Sequence, residues 1–423
     1  MNAYITPAKL SGEITAPSSK SYAHRLMIAA FLSGDGTVEN VTFSKDAYAT
    51  INVLKALGGD VTISGNSVKI TRAKSCGACD KEREAAGGYT LANAIESGST
   101  LRFLLPVAAA LGKKVEFTGE EGLLKRPFKQ LTDCLNERGA KIDGLKVSGK
   151  LKSGEFKITA SVSSQFISGL MFALPLLDGD SEIVLDGEQV SKSYVDITID
   201  VLKLYGIEIT PTKSGYFIKG NQTYKSGKTV KVEGDWSGAA FYLSAGAING
   251  EITVKGLNPE SVQGDRKILD VLKRFGASVT VSGGGVTVKR NKLNGTTVDL
   301  EDIPDLGQII SVVAAYATGE TVLKSVNRLK IKESDRLNAI TDMLSVSGIA
   351  FNSADDEFKI YGGAPKGGSF LGGNDHRTVM SCAVLAAYAS GETQITDAEA
   401  INKSYPDFFK DYKTLGGLVN GDI

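Results

Sequence analysis

Cysteine and histidine are scarce in this chain. The four cysteines are Cys76, Cys79, Cys134 and Cys382, and the only histidines are His24 and His376. Cys76 and Cys79 form a C-x-x-C pair, "CGAC", but a zinc site would need two further ligands, and so few imidazoles make one unpromising. The pair reads as two reduced thiols in a surface loop, and no metal is expected. Excess charge of either sign is also missing, with 48 Lys+Arg against 48 Asp+Glu. That argues against nucleic acid or an acidic membrane surface as partner. No run of about 18 apolar residues could span a bilayer, and the opening "MNAYITPAKLSGEITAP" lacks the basic and apolar regions of a secretory signal. A cytoplasmic location fits these absences.

Glycine, by contrast, is abundant at 48 of 423 residues, above the usual ~7%, and its placement is periodic. A short amphipathic helix ending in glycine recurs six times, from "INVLKALGG" through "LDVLKRFGA" to "FKDYKTLGG", with its glycines at Gly58, Gly139, Gly206, Gly276, Gly348 and Gly416. Glycine suits a helix end that needs φ > 0. The first five copies are followed by alternating stretches such as "DVTISGNSVKITR", which read as β-hairpins. A second phrase alternates with the first: an apolar, small-residue helix, a glycine, then a strand. Its glycines are Gly34, Gly112, Gly179, Gly250, Gly319 and Gly391. Two independent markers thus share a period of about 70 residues. They predict a unit of helix–strand–helix–strand–strand made six times, split three and three by a break near Lys225–Glu233. Helices apolar all round must be buried. The opening stretch Ala3–Ile14 reads as a strand with no helix before it, free to pair with the last units.

Polar groups cluster where the buried helices begin: Lys20, Ser21 and Arg25; Gly98, Ser99, Thr100 and Arg102; Ser163, Ser164 and Gln165; Asp235 and Ser237; Asp305; and Asn374, Asp375, His376 and Arg377. Ser163, Asp235 and Asn374 suit N-caps. Lys20, Arg25, Arg102 and Arg377 do not, because cations oppose the helix dipole there. An anion removes the conflict and takes the free N–H groups. If like repeats aim their helix starts alike, they converge on an anionic ligand in an interdomain cleft. "GLLKRPFKQ" sets Arg126 before Pro127 at a helix start, "LKIKESDRL" gathers Lys332, Glu333 and Arg336 in what reads otherwise as a solvated helix face, and "NKSYPDF" carries Lys403.

In these phrases, together with "PSSKSYAHR", "ESGSTLRFL", "SSQFISGL", "SKSYVDIT", "VEGDWSGAAF", "QGDRKILDVLKRFGA", "IPDL" and "GGNDHRTVM", the whole chain resembles the 5-enolpyruvylshikimate-3-phosphate synthase family. The resemblance implies an α/β fold of two domains, each of three βαβαββ units closed as an inside-out barrel, with six buried helices directing their N-termini into the cleft. The division expected is residues 13–232, carrying most of the shikimate 3-phosphate site, and 1–12 plus 233–423, carrying Asp305, Glu333 and several phosphoenolpyruvate ligands. The family reaction transfers the enolpyruvyl group of phosphoenolpyruvate to the 5-hydroxyl of shikimate 3-phosphate and releases phosphate. Carried over by motif, Ser21, Arg25, Ser163, Ser164, Gln165, Ser191, Tyr194 and Lys332 hold shikimate 3-phosphate, and Asp305 is the base for its hydroxyl. Gly98, Arg126, Gln165, Arg336, Arg377 and Lys403 hold phosphoenolpyruvate, which in this family is also the site of glyphosate. Lys20 lies between the substrates and joins the proton transfers, and Glu333 is the proton donor. The resemblance implies a monomer with no cofactor, and no nucleic acid or membrane partner. Glu96 in "ESG" and Arg328 depart from the family pattern. Enolpyruvyl transferases acting on UDP-N-acetylglucosamine share the repeats, but their reactive loop cysteine has no good counterpart in Cys76, Cys79 or Cys134.

Overall fold

A computed structural model describes residues 1–72, 88–159 and 163–421; Cys76 and Cys79 lie outside the described residues. Two kinds of helix alternate along the chain. Apolar ones are α1 (Lys20–Ser33), α3 (Gly98–Ala110), α5 (Ser164–Ala173), α7 (Trp236–Asn249), α9 (Gly307–Ala315) and α11 (His376–Tyr388). Between them run α2 (Lys45–Ala56), α4 (Lys129–Asn136), α6 (Lys192–Leu204), α8 (Ile268–Phe275), α10 (Arg336–Val346) and α12 (Phe408–Thr414). The sequence separates the kinds. In α8 the buried side chains are Ile268, Leu269, Val271, Leu272 and Phe275, one stripe at helical spacing. In α7 every residue from Gly238 to Ile248 is buried, as all-round apolarity requires. Gly58, Gly139, Gly206, Gly276, Gly348 and Gly416 all have positive φ, between 71° and 107°. There the chain leaves the amphipathic helix for the hairpin, or after Gly416 for the single strand Leu418–Gly421, a turn that costs glycine no Cβ clash.

Each repeat makes one four-stranded sheet. In the second, Thr90–Asn93 runs parallel to Val115–Thr118, the crossover between them being α3, and Val115–Thr118 pairs antiparallel with the hairpin 140–149. Three sheets borrow a strand from elsewhere. Lys228–Lys231 lies parallel to Asp35–Glu39, Gly12–Thr15 lies parallel to Glu251–Lys255, and Ala3–Thr6 pairs antiparallel with both Thr393–Ile395 and Leu418–Gly421. The opening stretch is therefore two strands in two sheets rather than one. Pro7 follows the first strand; it has no N–H for a ladder.

The chain forms two compact units, Lys20–Val232 and Met1–Ser19 with Glu233–Ile423. Each has its own hydrophobic core, one around α1, α3 and α5, the other around α7, α9 and α11. The first passage between units falls at 19/20 rather than 12/13, because Gly12–Thr15 belongs to the sheet of Glu251–Lys255. The outgoing and returning chains then pair: Ser19 N–H donates to Glu233 O at 2.8 Å and Asp235 N–H to Pro17 O at 2.8 Å. Among the described residues no helix is long and apolar enough to cross a membrane.

Candidate active site

In the Lys20–Val232 unit, the polar groups sit where the apolar helices start. Lys20 opens α1 and pairs with Asp46 at 3.0 Å. One turn on, Arg25 is 3% exposed. Its Nε donates to Thr198 Oγ1 at 2.7 Å, Nη1 to Ser21 O at 2.8 Å and Nη2 to Tyr194 O at 2.9 Å, and its guanidinium lies 4.7 Å from the Phe103 ring centre. Among the described residues no carboxylate pairs with it. Burial draws its pKa down to about 9, against a partial upward pull from Tyr194 and Tyr22. A cation desolvated without a counter-ion gains from an incoming anion.

Ser163 caps α5, accepting from Gln165 N–H at 3.3 Å, and Ser164 is buried beside it. Ser191, at the start of α6, holds a left-handed φ of 53°, a strained conformation for a residue with a Cβ. Its carbonyl accepts from Tyr194 N–H at 3.2 Å. Gly98 opens α3, and a Cβ there would collide with the Arg126 guanidinium, whose Cζ is 2.9 Å from that position. The Arg126 side chain makes no hydrogen bond or ion pair among the described residues, and its Nε is buried without a partner. Pro127 is not at the first turn of a helix as expected, because α4 begins two residues later at Lys129. Glu96 pairs with Lys45 at 3.7 Å.

In the other unit, Arg336 organises the site. It is 1% exposed, with Nε donating to Asp375 at 2.8 Å, Nη1 to Asp305 at 2.9 Å and Nη2 to Glu333 at 2.7 Å. One guanidinium therefore holds the expected base and the expected acid. Burial disfavours its charge, but Asp375, Glu333 and Asp305 more than offset this and raise its pKa. Asp305 also meets Arg377 Nη2 at 3.1 Å and Lys332 Nζ at 3.4 Å. Burial lowers the Lys332 pKa, with Asp305 opposing. Lys403 Nζ donates to Asn374 O at 2.7 Å. "KIKESDRL" is no solvated helix face: Val326–Ile331 is a 3-10 turn, and α10 begins at Arg336. Arg328 donates to Glu301 O at 2.6 Å.

Asp375, not Asn374, caps α11, accepting from Arg377 N–H at 2.9 Å; Asn374 stands at φ 51°. Asp375 is also bonded by Ser334 Oγ at 2.9 Å. Burial pushes its pKa up and Arg336 more than reverses this, so it stays a carboxylate. The motifs place Asp375 at a helix start, as found, but do not single out Asp46 or Thr198; each of the three supports an expected site residue. Cys134 is buried and its thiol is pushed up to about 12, by burial and then Glu137, so it is no nucleophile.

A repeated α/β scaffold with buried cations at its apolar helix starts, and two carboxylates, the expected base and the expected acid, bonded to one arginine, fits a group-transfer enzyme for anionic substrates. The profile of the EPSP synthase (3-phosphoshikimate 1-carboxyvinyltransferase) family matches residues 5–412. A 3-phosphoshikimate 1-carboxyvinyltransferase of Clostridium novyi is 39% identical over 429 residues, covering 99% of this chain and 98% of that one. One of Brachyspira hyodysenteriae is 40% identical over 432 residues, covering 99% and 100%. A solved structure of EPSP synthase from Acinetobacter baumannii shares the fold, with TM-score 0.80 at 23% identity over 99% of this chain and 100% of that one. The chain belongs to the EPSP synthase family.

Proposed function

We propose that these residues hold two anionic substrates and carry one addition–elimination between them. The chain transfers the enolpyruvyl group of phosphoenolpyruvate to shikimate 3-phosphate and releases phosphate, in the shikimate pathway. In this reading Ser21, Arg25, Ser163, Ser164, Gln165, Ser191, Tyr194 and Lys332 hold shikimate 3-phosphate. Gly98, Arg126, Gln165, Arg336, Arg377 and Lys403 hold phosphoenolpyruvate, and Lys20 serves both. Each unit is an inside-out barrel whose buried helices turn their N-terminal N–H groups to the substrates. The demand for cations is physical: each phosphate carries about −1.5 to −2, and each substrate adds a carboxylate.

Asp305 takes the proton of the 5-hydroxyl as its oxygen bonds to C2 of phosphoenolpyruvate, and Glu333 gives a proton to C3. Loss of a C3 proton then re-forms the double bond as phosphate leaves C2. The observation that carries the reading is the joint bonding of Asp305 and Glu333 to Arg336, at 2.9 and 2.7 Å. It keeps an acid and a base within one guanidinium's span, as paired proton transfers need. The test is phosphate release, expected only when both substrates are present. Release from phosphoenolpyruvate alone, at the same rate, would sink the transferase reading.

A further inference from the structure

Arg102 is a buried cation one turn into α3, near the end of the helix whose dipole disfavours positive charge; its contacts show what it does there. Its Nη1 donates to Gln165 Oε1 at 2.7 Å and its Nη2 to Pro127 O at 3.0 Å. Gln165 Nε2 donates in turn to Ser99 Oγ at 2.9 Å. The guanidinium lies 5.5 Å from the Phe166 ring centre. A guanidinium offers donors only, so the amide oxygen must face it, since the opposite amide would set N–H against N–H.

We propose that Arg102 is a positioning residue for substrate binding, one that fixes the Gln165 amide with its remaining N–H available to an anion. The inference rests on the reading that Gln165 is a substrate ligand. The same guanidinium ties down the carbonyl of Pro127, the residue after Arg126. The Arg126 side chain has no polar partner among the described residues, and this strut ties its segment to α3. Arg102 thus joins two anion-facing groups, one on α5 and one before α4, by a fixed fork. A lysine, with one nitrogen on a flexible stem, cannot hold two acceptors in that geometry.

The test is a double-mutant cycle on the full chain with Arg102→Lys, Gln165→Ala and the double variant. It reads KM for each substrate, kcat, and thermal midpoint. Arg102→Lys should raise KM for phosphoenolpyruvate about tenfold while kcat stays within about threefold, the pattern of lost uniform binding. In the Gln165→Ala background the same substitution should cost at least about threefold less, because contacting residues couple. Arg102→Met, which drops the charge, should raise KM at least as much as Arg102→Lys does. If the two losses simply multiply while Gln165→Ala alone weakens binding, the positioning role is overturned and Gln165 remains a ligand. If Gln165→Ala leaves every KM unchanged, the ligand reading of Gln165 fails and the proposal falls with it.

Discussion

In the proposed mechanism Asp305 accepts a proton while three cations hold it. Asp305→Asn keeps the shape and removes the base, so kcat should fall about 10²–10⁴-fold while calorimetry still detects shikimate 3-phosphate binding. It also removes the opposing charge that supports Lys332, whose pKa burial already lowers. Lys332 should then lose its proton at lower pH, moving the alkaline limb of residual activity down; phosphate release measured across pH reads both effects. Near-normal turnover would take Asp305 out of the base role. At Gly98 the added methyl of Gly98→Ala meets the Arg126 guanidinium. KM for phosphoenolpyruvate should rise, and the rise should vanish when Arg126→Ala is already present. A rise that persists would place the clash on the ligand itself. At this scale the motifs pointed to Asp305, Glu333, Arg336 and Arg126, because each lies in a short phrase. They could not point to the pairings, since Asp375 is 39 residues from Arg336, Asp46 is 26 from Lys20 and Gln165 is 63 from Arg102.

Helices α3 and α5 pack closely because Gly169 has no side chain. A Cβ there would strike the Arg102 carbonyl oxygen and press on Pro106 Cγ at 3.2 Å. Gly169→Ala gains up to ~1 kcal/mol of helix propensity, but overpacking of this kind costs about 1–3 kcal/mol. The clash with backbone cannot be relieved by a rotamer, so the net effect should be a lower thermal midpoint, and with Arg102 displaced, a higher KM for phosphoenolpyruvate. An unchanged midpoint would mean that the two helices can part freely. The element pattern was largely legible, because burying a helix on all sides and turning its end through φ > 0 each demand particular residues. The split of the opening stretch into two strands was not, since which sheet a strand joins depends on partners some 240 and 390 residues away.

Two separate cores predict two melting transitions, and acid should move them in opposite directions. In the Lys20–Val232 unit, His24 is buried, with Nδ1 on Thr50 Oγ1 at 2.5 Å and Nε2 unpartnered. Burial first, then Lys20 and Arg25, outweigh Asp46 and bring its pKa to about 4 from 6.5. Between those values the unfolded chain binds a proton that the folded one refuses. This unit therefore loses stability as pH falls from about 6.5 to about 4, by up to ~1.4 kcal/mol per pH unit. In the other unit Asp265 is buried, and burial and Asp305, against Arg377 and Ser237, raise its pKa to about 6 from 3.8. Here the folded form binds the extra proton, so falling pH stabilises. Calorimetry from pH 7 to 4 should show one transition descending and the other holding or rising. His24→Asn should flatten the first and Asp265→Asn the second. Parallel movement of both transitions in the unsubstituted chain would refute the assignment.

The borrowed strands also set an order of assembly during synthesis. The Lys20–Val232 unit receives its last strand at Lys228–Lys231, so every piece of it exists when little more than half the chain has been made. The other unit needs Ala3–Thr6 to lie between Thr393–Ile395 and Leu418–Gly421. Ala3–Thr6 must therefore wait, unpaired, for partners made some 390 residues later. One half of the enzyme can fold on the ribosome while the other is held open until Leu418–Gly421 has been made, and the long-range pairing makes that second closure the slower step.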